Sequence, residues 1–197
     1  PDALPGCVHA PHWYDQLTLY LGRFIPWCAF DVQTGEPALG RDGVRRQHTR
    51  QVLELAALST SHMGGVPTFI GEFGIPFSLN GREAYVKGTL DGCTAALDSS
   101  VSVLEAAGVS YALWCYAPEH CAQWGDLWNR EDLSIYSTET AREVDEKDDP
   151  AGVYVGGRSL RGFVRPYALA LNGETLKPPV FDLESGCYTL DFKHVEK

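Results

Sequence analysis

Apolar positions along this chain keep two rhythms up to about residue 137 and a third from about residue 153. Three short, nearly unbroken apolar runs occur: "GCVHAPHWYD" near the start, "VPTFIGEF" at 66–73 and "VSYALWCY" at 109–116. They are too short for helices and rich in β-branched and aromatic residues, which predicts strands buried on both faces. The first stops at a turn containing Pro11. Between the runs the spacing becomes helical. From Val44 to His62 a stripe is formed by Val52, Leu55, Ala56 and Leu58, and Gly64–Gly65 marks its end. From 84 to 107 the stripe is Ala95, Leu97, Val101, Val103 and Leu104, and Gly108 is the expected cap.

Residues 26–43, 74–83 and 115–137 read as loops. The order strand, loop, helix therefore repeats, which predicts an α/β fold of parallel βα units. Each strand is followed by a long connection rich in polar and aromatic groups, at the end where such folds build their sites. Residues 138–152 are acidic and almost free of large apolar side chains, as in a linker. From Val153 the runs "GFVRPYALAL", "PPVFDL" and "CYTLDF" alternate with Gly, Pro and Asn, which predicts antiparallel β structure, part of a β-sandwich. The expected division is thus 1–137, a linker 138–152, and 153–197. Three parallel strands leave open edges, so the chain reads as the C-terminal part of a longer protein.

Composition adds exclusions. With 44% hydrophobic and 21% charged residues the chain is of ordinary globular type. Its formal net charge of −10, from 16 basic and 26 acidic residues, argues against nucleic acid or an anionic lipid surface as an electrostatic partner. No run approaches the ~20 apolar residues of a membrane helix, although peripheral contact with lipid stays open. Cys7, Cys28, Cys93, Cys115, Cys121 and Cys187 show no CxxC and no zinc spacing, so no metal and no cofactor is expected. They read as free thiols, favouring an intracellular, cytoplasmic or vacuolar, setting.

The candidate chemistry sits where the three runs end. Glu72 lies inside "TFIGEFGIPF", flanked by Phe69, Ile70 and Phe73. An isolated buried carboxylate costs several kcal/mol, so this one needs partners or a role. His12, Trp13 and Tyr14 close the first run, and Trp114 and Tyr116 close the third. If the strands are parallel neighbours, a carboxylate, a phenol, an imidazole and an indole converge. The long last loop carries Glu119, His120, Trp124, Trp128, Asn129 and Asp132, and reads either as a cover for a ligand or as surface structure pinned by its tryptophans. A cysteine hydrolase built from Cys115 or Cys121 with His120 fits no known spacing.

"APHWYD", "IGEFG" and "YALWCY" together resemble the last three strands of glycoside hydrolase family 5 barrels, which are retaining (β/α)₈ enzymes. The longer stretches "FIGEFGIPF" and "WGDLWNREDLSIYS" are similar to fungal members related to endoglycoceramidases, which act on glucosylceramide or steryl glucosides. The resemblance implies strands six to eight of a TIM barrel followed by part of a β-sandwich. It implies Glu72 as nucleophile, Tyr14 as the residue orienting it, and His12 and Trp114 as substrate-binding residues. The implied partner is a glycolipid or other β-glucoside. The general acid/base of that family is the Glu of an Asn-Glu pair, and no such dipeptide occurs here. Cys115 also stands where a polar residue is expected. The alternative reading is a non-catalytic carbohydrate-binding or scaffold protein derived from the same fold.

Overall fold

The structure is a computed structural model, and it describes residues 6–140 and 154–195. In chain order the elements are α1 (Gln16–Leu21), β1 (Cys28–Phe30), β2 (Pro37–Leu39), α2 (Arg41–His62), β3 (Phe69–Phe73), α3 (Leu79–Val86), α4 (Asp91–Ala107) and β4 (Ser110–Leu113). After the stretch 141–153, in which most of the expected linker falls outside the described residues, come a 3₁₀ turn (Leu160–Gly162), β5 (Gly173–Thr175), β6 (Val180–Asp182), β7 (Cys187–Thr189) and β8 (Phe192–His194).

β3 lies at the centre of the first unit. On one side β4 pairs with it in parallel. On the other, the segment 9–13 runs parallel to it through bridges His9–Thr68 and His12–Glu72. The bonds Phe69 N–H to His9 O (2.9 Å), Gly71 N–H to Pro11 O (2.9 Å) and Trp13 N–H to Glu72 O (3.0 Å) complete that ladder. The first apolar run thus pairs as a strand does, although Pro11 removes a donor and limits it to bridges.

The two helices expected from periodicity are present with shifted bounds. α2 begins at Arg41, and α4 ends on Gly108 in the left-handed conformation. The stretch expected as one helix from 84 splits: α3 ends at Val86, Gly88 turns left-handed at φ 69°, and the chain restarts as α4 at Asp91. The expected loop 26–43 contains the antiparallel hairpin β1–β2. Its turn is closed by the Asp31 carboxylate, which accepts from Gln33 N–H (2.9 Å) and Thr34 N–H (3.2 Å).

α2 and α4 pack on the sheet and bury Val52, Val101, Val103 and Leu104 with Trp13, Ile70 and Phe73. A second cluster joins Ile75, Phe77, Leu79, Cys93, Ala96 and Leu97. Burial of such side chains, ~1.5–3 kcal/mol each, supplies the main driving force for this unit. All six cysteines are free.

Beyond residue 154 the chain first returns to the α/β unit. The 3₁₀ turn packs on α4, and Gly162 fits there because a Cβ would meet the Thr94 carbonyl at 2.7 Å. Arg165, whose side chain is 3% exposed, bonds Asp98 (2.8 Å) and Glu105 (3.2 Å) of α4 and stacks on Phe181. The run "GFVRPYALAL", expected as a strand, is instead this turn and irregular chain, since Arg165 and Gly162 serve the docking. β5 pairs with β8, and β6 with β7, both antiparallel. Among the described residues, no helix is long and apolar enough to cross a membrane.

Candidate functional site

The local reason for Glu72 lies in the register of β3 against β4. Ile70 faces Tyr111 and Phe73 faces Leu113, so three steps on β3 match two on β4. An extra residue at 71–72 bulges the strand, and bulges of this kind re-aim a side chain beside a site. Ile70 and Phe73 both enter the core, while the Glu72 side chain emerges, 22% exposed. The carboxylate is therefore at the core's rim, not inside it.

Each of its oxygens has a neighbour. The Tyr14 hydroxyl donates a short hydrogen bond to Oε1, and His12 Nδ1 lies 3.2 Å from Oε2. Burial first, and then the bond to Glu72, push the Tyr14 phenol far above its ordinary range, so it remains a donor at any working pH. Tyr14 is followed by Asp15, which caps α1 through Thr18 N–H (3.2 Å) and the Thr18 hydroxyl (2.6 Å). This cap turns the chain immediately after the phenol. Trp13 points the other way, into the core, and its indole N–H donates to Gln51 of α2 at 3.1 Å.

Trp114 follows β4 and is bound to the end of β3 by its backbone N–H, which donates to Phe73 O at 2.7 Å. Its carbonyl covers Gly74 so closely that no Cβ could stand there. The Trp114–Cys115 peptide is cis. The structure thus brings His12, Tyr14 and Glu72 into direct contact and sets Trp114 on the neighbouring strand end. Glu72 lines neither of the two cavities that touch its neighbours. One, of about 240 Å³, is lined by His12, Tyr14, Asp31, Gln33 and Gln51 among others. The other, of about 360 Å³, is lined by Trp114, Tyr116, Asp126, Trp128 and Glu131 among others.

Glu131 is the residue that sequence reading missed. Its half-buried carboxylate accepts from the Trp114 indole N–H at 3.1 Å and from Asn129 Nδ2 at 3.0 Å. Nothing in "NREDL" marks Glu131 above its acidic neighbour. Asp132 turns away to a different task.

The loop 115–137 is not held by its tryptophans, since Trp124 and Trp128 are each 65% exposed. Buried ions and hydrogen bonds hold it. Arg158 enters from the far side of the undescribed stretch, 4% exposed, and meets Asp132 (3.1 Å) and Ser134 O (2.9 Å, from Nε). It also donates to the Tyr85 hydroxyl (2.9 Å), which in turn donates to Asp132 (2.8 Å). His120, fully buried, places Nε2 at 2.9 Å from Asp132. Burial alone would raise the Asp132 carboxyl, but bonds from His120, Arg158 and Tyr85 bring it below the usual range. Asp126 accepts from Leu133 N–H (2.7 Å) and Ser134 N–H (3.1 Å), closing the loop on itself. Burial, and then Asp126, push the Cys115 thiol up to about 12, so it is a poor nucleophile.

His120, Asp126 and Asp132 lie close enough to resemble a metal triad. The guanidinium of Arg158 already supplies the cation there, with Nη2 3.2 Å from His120 Nε2. The donor set is thus that of a structural ion-pair network and does not fit a divalent ion.

No family model matches the chain. Curated relatives do. A glucosylceramidase of Rhizopus delemar is 28% identical over 200 residues, covering 94% of this chain and 29% of that protein. An ergosteryl-beta-glucosidase of Saccharomyces cerevisiae is 35% identical over 141 residues, covering 66% and 18%. A solved structure of Cryptococcus neoformans sterylglucosidase 1 superposes with a TM-score of 0.79 at 25% identity, over 96% of this chain and 30% of that one. The chain therefore spans less than a third of the length of these relatives. The shared fold and the sequence identity along nearly all of its length make this chain a relative of the fungal glucosylceramidases and sterylglucosidases.

Proposed function

We propose that this chain carries the nucleophile side of a retaining β-glucosidase that cleaves the glucosidic bond of a glycolipid, glucosylceramide or a steryl glucoside. The observation that carries the reading is the Glu72 carboxylate, raised from the core by a bulge, hydrogen-bonded by Tyr14 on one oxygen and with the His12 imidazole 3.2 Å from the other. The segment 9–13, β3 and β4 correspond in it to strands six to eight of a (β/α)₈ barrel of glycoside hydrolase family 5, and residues from 153 to part of a β-sandwich. The parallel pairing and the match to under a third of longer glucosidases support this.

In the mechanism, retaining hydrolysis sets two carboxyl groups about 5–5.5 Å apart across the scissile bond. Glu72 attacks the anomeric carbon and forms a glycosyl ester, while the partner carboxyl protonates the leaving oxygen. The partner then takes a proton from water, which opens the ester and releases the sugar. Tyr14, unable to ionise, orients Glu72 toward the carbon. His12, whose side chain is 58% exposed, faces the ligand space and offers a hydrogen bond to a sugar hydroxyl. Trp114 presents an apolar face to the ring. The exposed Trp128, which lines the cavity beside Trp114, suits an apolar aglycone. The second carboxyl belongs to an Asn-Glu pair outside these 197 residues.

The test is hydrolysis by the full-length protein with Glu72→Gln. Loss of turnover by more than ~10³-fold is expected for a nucleophile acting with its partners. Turnover near that of the unmodified protein overturns the assignment. Parallel assays on glucosylceramide and a steryl glucoside decide the aglycone.

A further inference from the structure

We infer that Glu131 is a specificity residue of the same site: its carboxylate, clamped at the edge of Trp114, receives two hydroxyls of the sugar that stacks on that indole. The inference rests on the glucosidase reading and adds the residue that recognises the sugar away from its reacting carbon.

Three observations carry it. First, Glu131 lines the cavity of about 360 Å³ together with Trp114, Tyr116 and Trp128. Second, its two donors are neutral N–H groups, one on each oxygen: Trp114 Nε1 to Oε2 and Asn129 Nδ2 to Oε1. Among the described residues no Lys, Arg or His forms an ion pair with it. A carboxylate oxygen accepts two hydrogen bonds, so each oxygen keeps one open acceptor position. Third, after burial and Glu72, the charge of Glu131 adds to the upward push on the Tyr14 phenol, so Glu131 shares an electrostatic neighbourhood with the Glu72 pair.

Sugar chemistry completes the argument. A β-glucopyranose lays a face of C–H groups on an indole while its equatorial hydroxyls radiate around the edge. A carboxylate hydrogen-bonded to the indole N–H lies along that edge, where a neighbouring pair of hydroxyls donates to its two oxygens. Hydrogen bonds from hydroxyl to carboxylate are charge-assisted and short, and a site built around them rejects analogues that lack the hydroxyl. Asn129 and Trp114 prevent the carboxylate from rotating away, which is the preorganisation that such recognition needs.

The experiment measures kcat/KM of the full-length protein on an aryl β-glucoside and on its 2-, 3-, 4- and 6-deoxy analogues, for unmodified, Glu131→Ala and Glu131→Gln forms. In the unmodified protein, deletion of a hydroxyl held by Glu131 is expected to lower kcat/KM on the order of 100-fold. In Glu131→Ala that penalty should vanish at those positions and persist at the others, while the intact glucoside loses a similar factor. Glu131→Gln, which keeps the acceptor for Trp114 without the charge, should fall between. A Glu131→Ala defect equal on every analogue means the residue only braces Trp114, and overturns the inference. So does an unchanged activity pattern. Failure of the unmodified protein to hydrolyse any β-glucoside overturns the glucosidase reading itself, and this inference with it.

Discussion

The two glycines of "GEFG" invite an experiment that separates a sequence motif from its geometry. At Gly74 a Cβ would penetrate the Trp114 carbonyl oxygen and stand 3.3 Å from the carbonyl carbon, both of them backbone atoms. At Gly71 a Cβ would meet Ala10 Cβ and O at 3.6 Å and the His12 ring at 3.7 Å, which is ordinary contact. For Gly74→Ala, relieving the overlap requires the two strand ends to part by roughly 1 Å, and displacements of that order misplace reacting groups. The 2.7 Å bond from Trp114 N–H to Phe73 O would then break. A lost buried backbone bond costs about 1–3 kcal/mol and the overpacking about as much again, so a destabilisation of ~2–6 kcal/mol is expected. Gly71→Ala should stay within ~0.5 kcal/mol, as the smaller entropy of its unfolded chain offsets any loss of fit. Urea unfolding of the two variants and the parent, followed by tryptophan fluorescence, measures both. Under the proposed function, Gly74→Ala should also lower kcat by about 100-fold through misplacement of Trp114 against Glu72. Equal stability of the two alanine variants would refute the reasoning.

Other expectations concern charge and titration. Arg158→Ala leaves Asp132 buried without its cation and should cost about 3–5 kcal/mol in urea unfolding, with protease cleavage appearing in the loop 115–137. Since Asp132 has a lowered carboxyl pKa, its contribution to stability is complete above the unfolded value and lost as pH falls through the folded one. Acid unfolding of the parent, and a smaller acid dependence in Asp132→Asn, check this. Tyr14, Tyr85 and Tyr111 are all raised, chiefly by burial, so phenolate absorbance should fall short of the nine tyrosines until unfolding. Here the sign is reversed: the stability these phenols add is present below the unfolded pKa and declines as pH rises past it. Cys93 and Cys115, both pushed up to about 12, should resist alkylation at pH 8 in the folded protein, while the exposed Cys187 reacts. Finally, the 197-residue chain alone should not hydrolyse β-glucosides in a fluorogenic assay, and activity from it would show that the second carboxyl lies within it.

Much was settled by residues that are close together in the chain. Apolar periods of two kinds set the alternation of strands and helices. Gly108 terminates α4, where only a residue without a Cβ adopts the left-handed turn cheaply. Three polar or aromatic strand ends marked His12 and Tyr14, Glu72, and Trp114 as candidates, because parallel strands leave such ends on one face. What remained hidden depends on register and on contacts far apart in sequence. The bulge that lifts Glu72 out of the core exists only relative to β4. The unequal needs of Gly71 and Gly74 come from atoms of segments about 60 and 40 residues away, ordinary contacts with Ala10 and His12 for one and the Trp114 carbonyl for the other. β1 and β2 stay short of any periodic signal at three residues each. Arg158 holds a loop it does not belong to, so no local pattern could pair it with Asp132. Glu131 and Asp132 are adjacent and chemically alike, yet one lines the cavity with Trp114 and the other meets a buried guanidinium. Local composition determines which elements form. Only the packing of one element on another decides which carboxylate meets water, a ligand or an arginine.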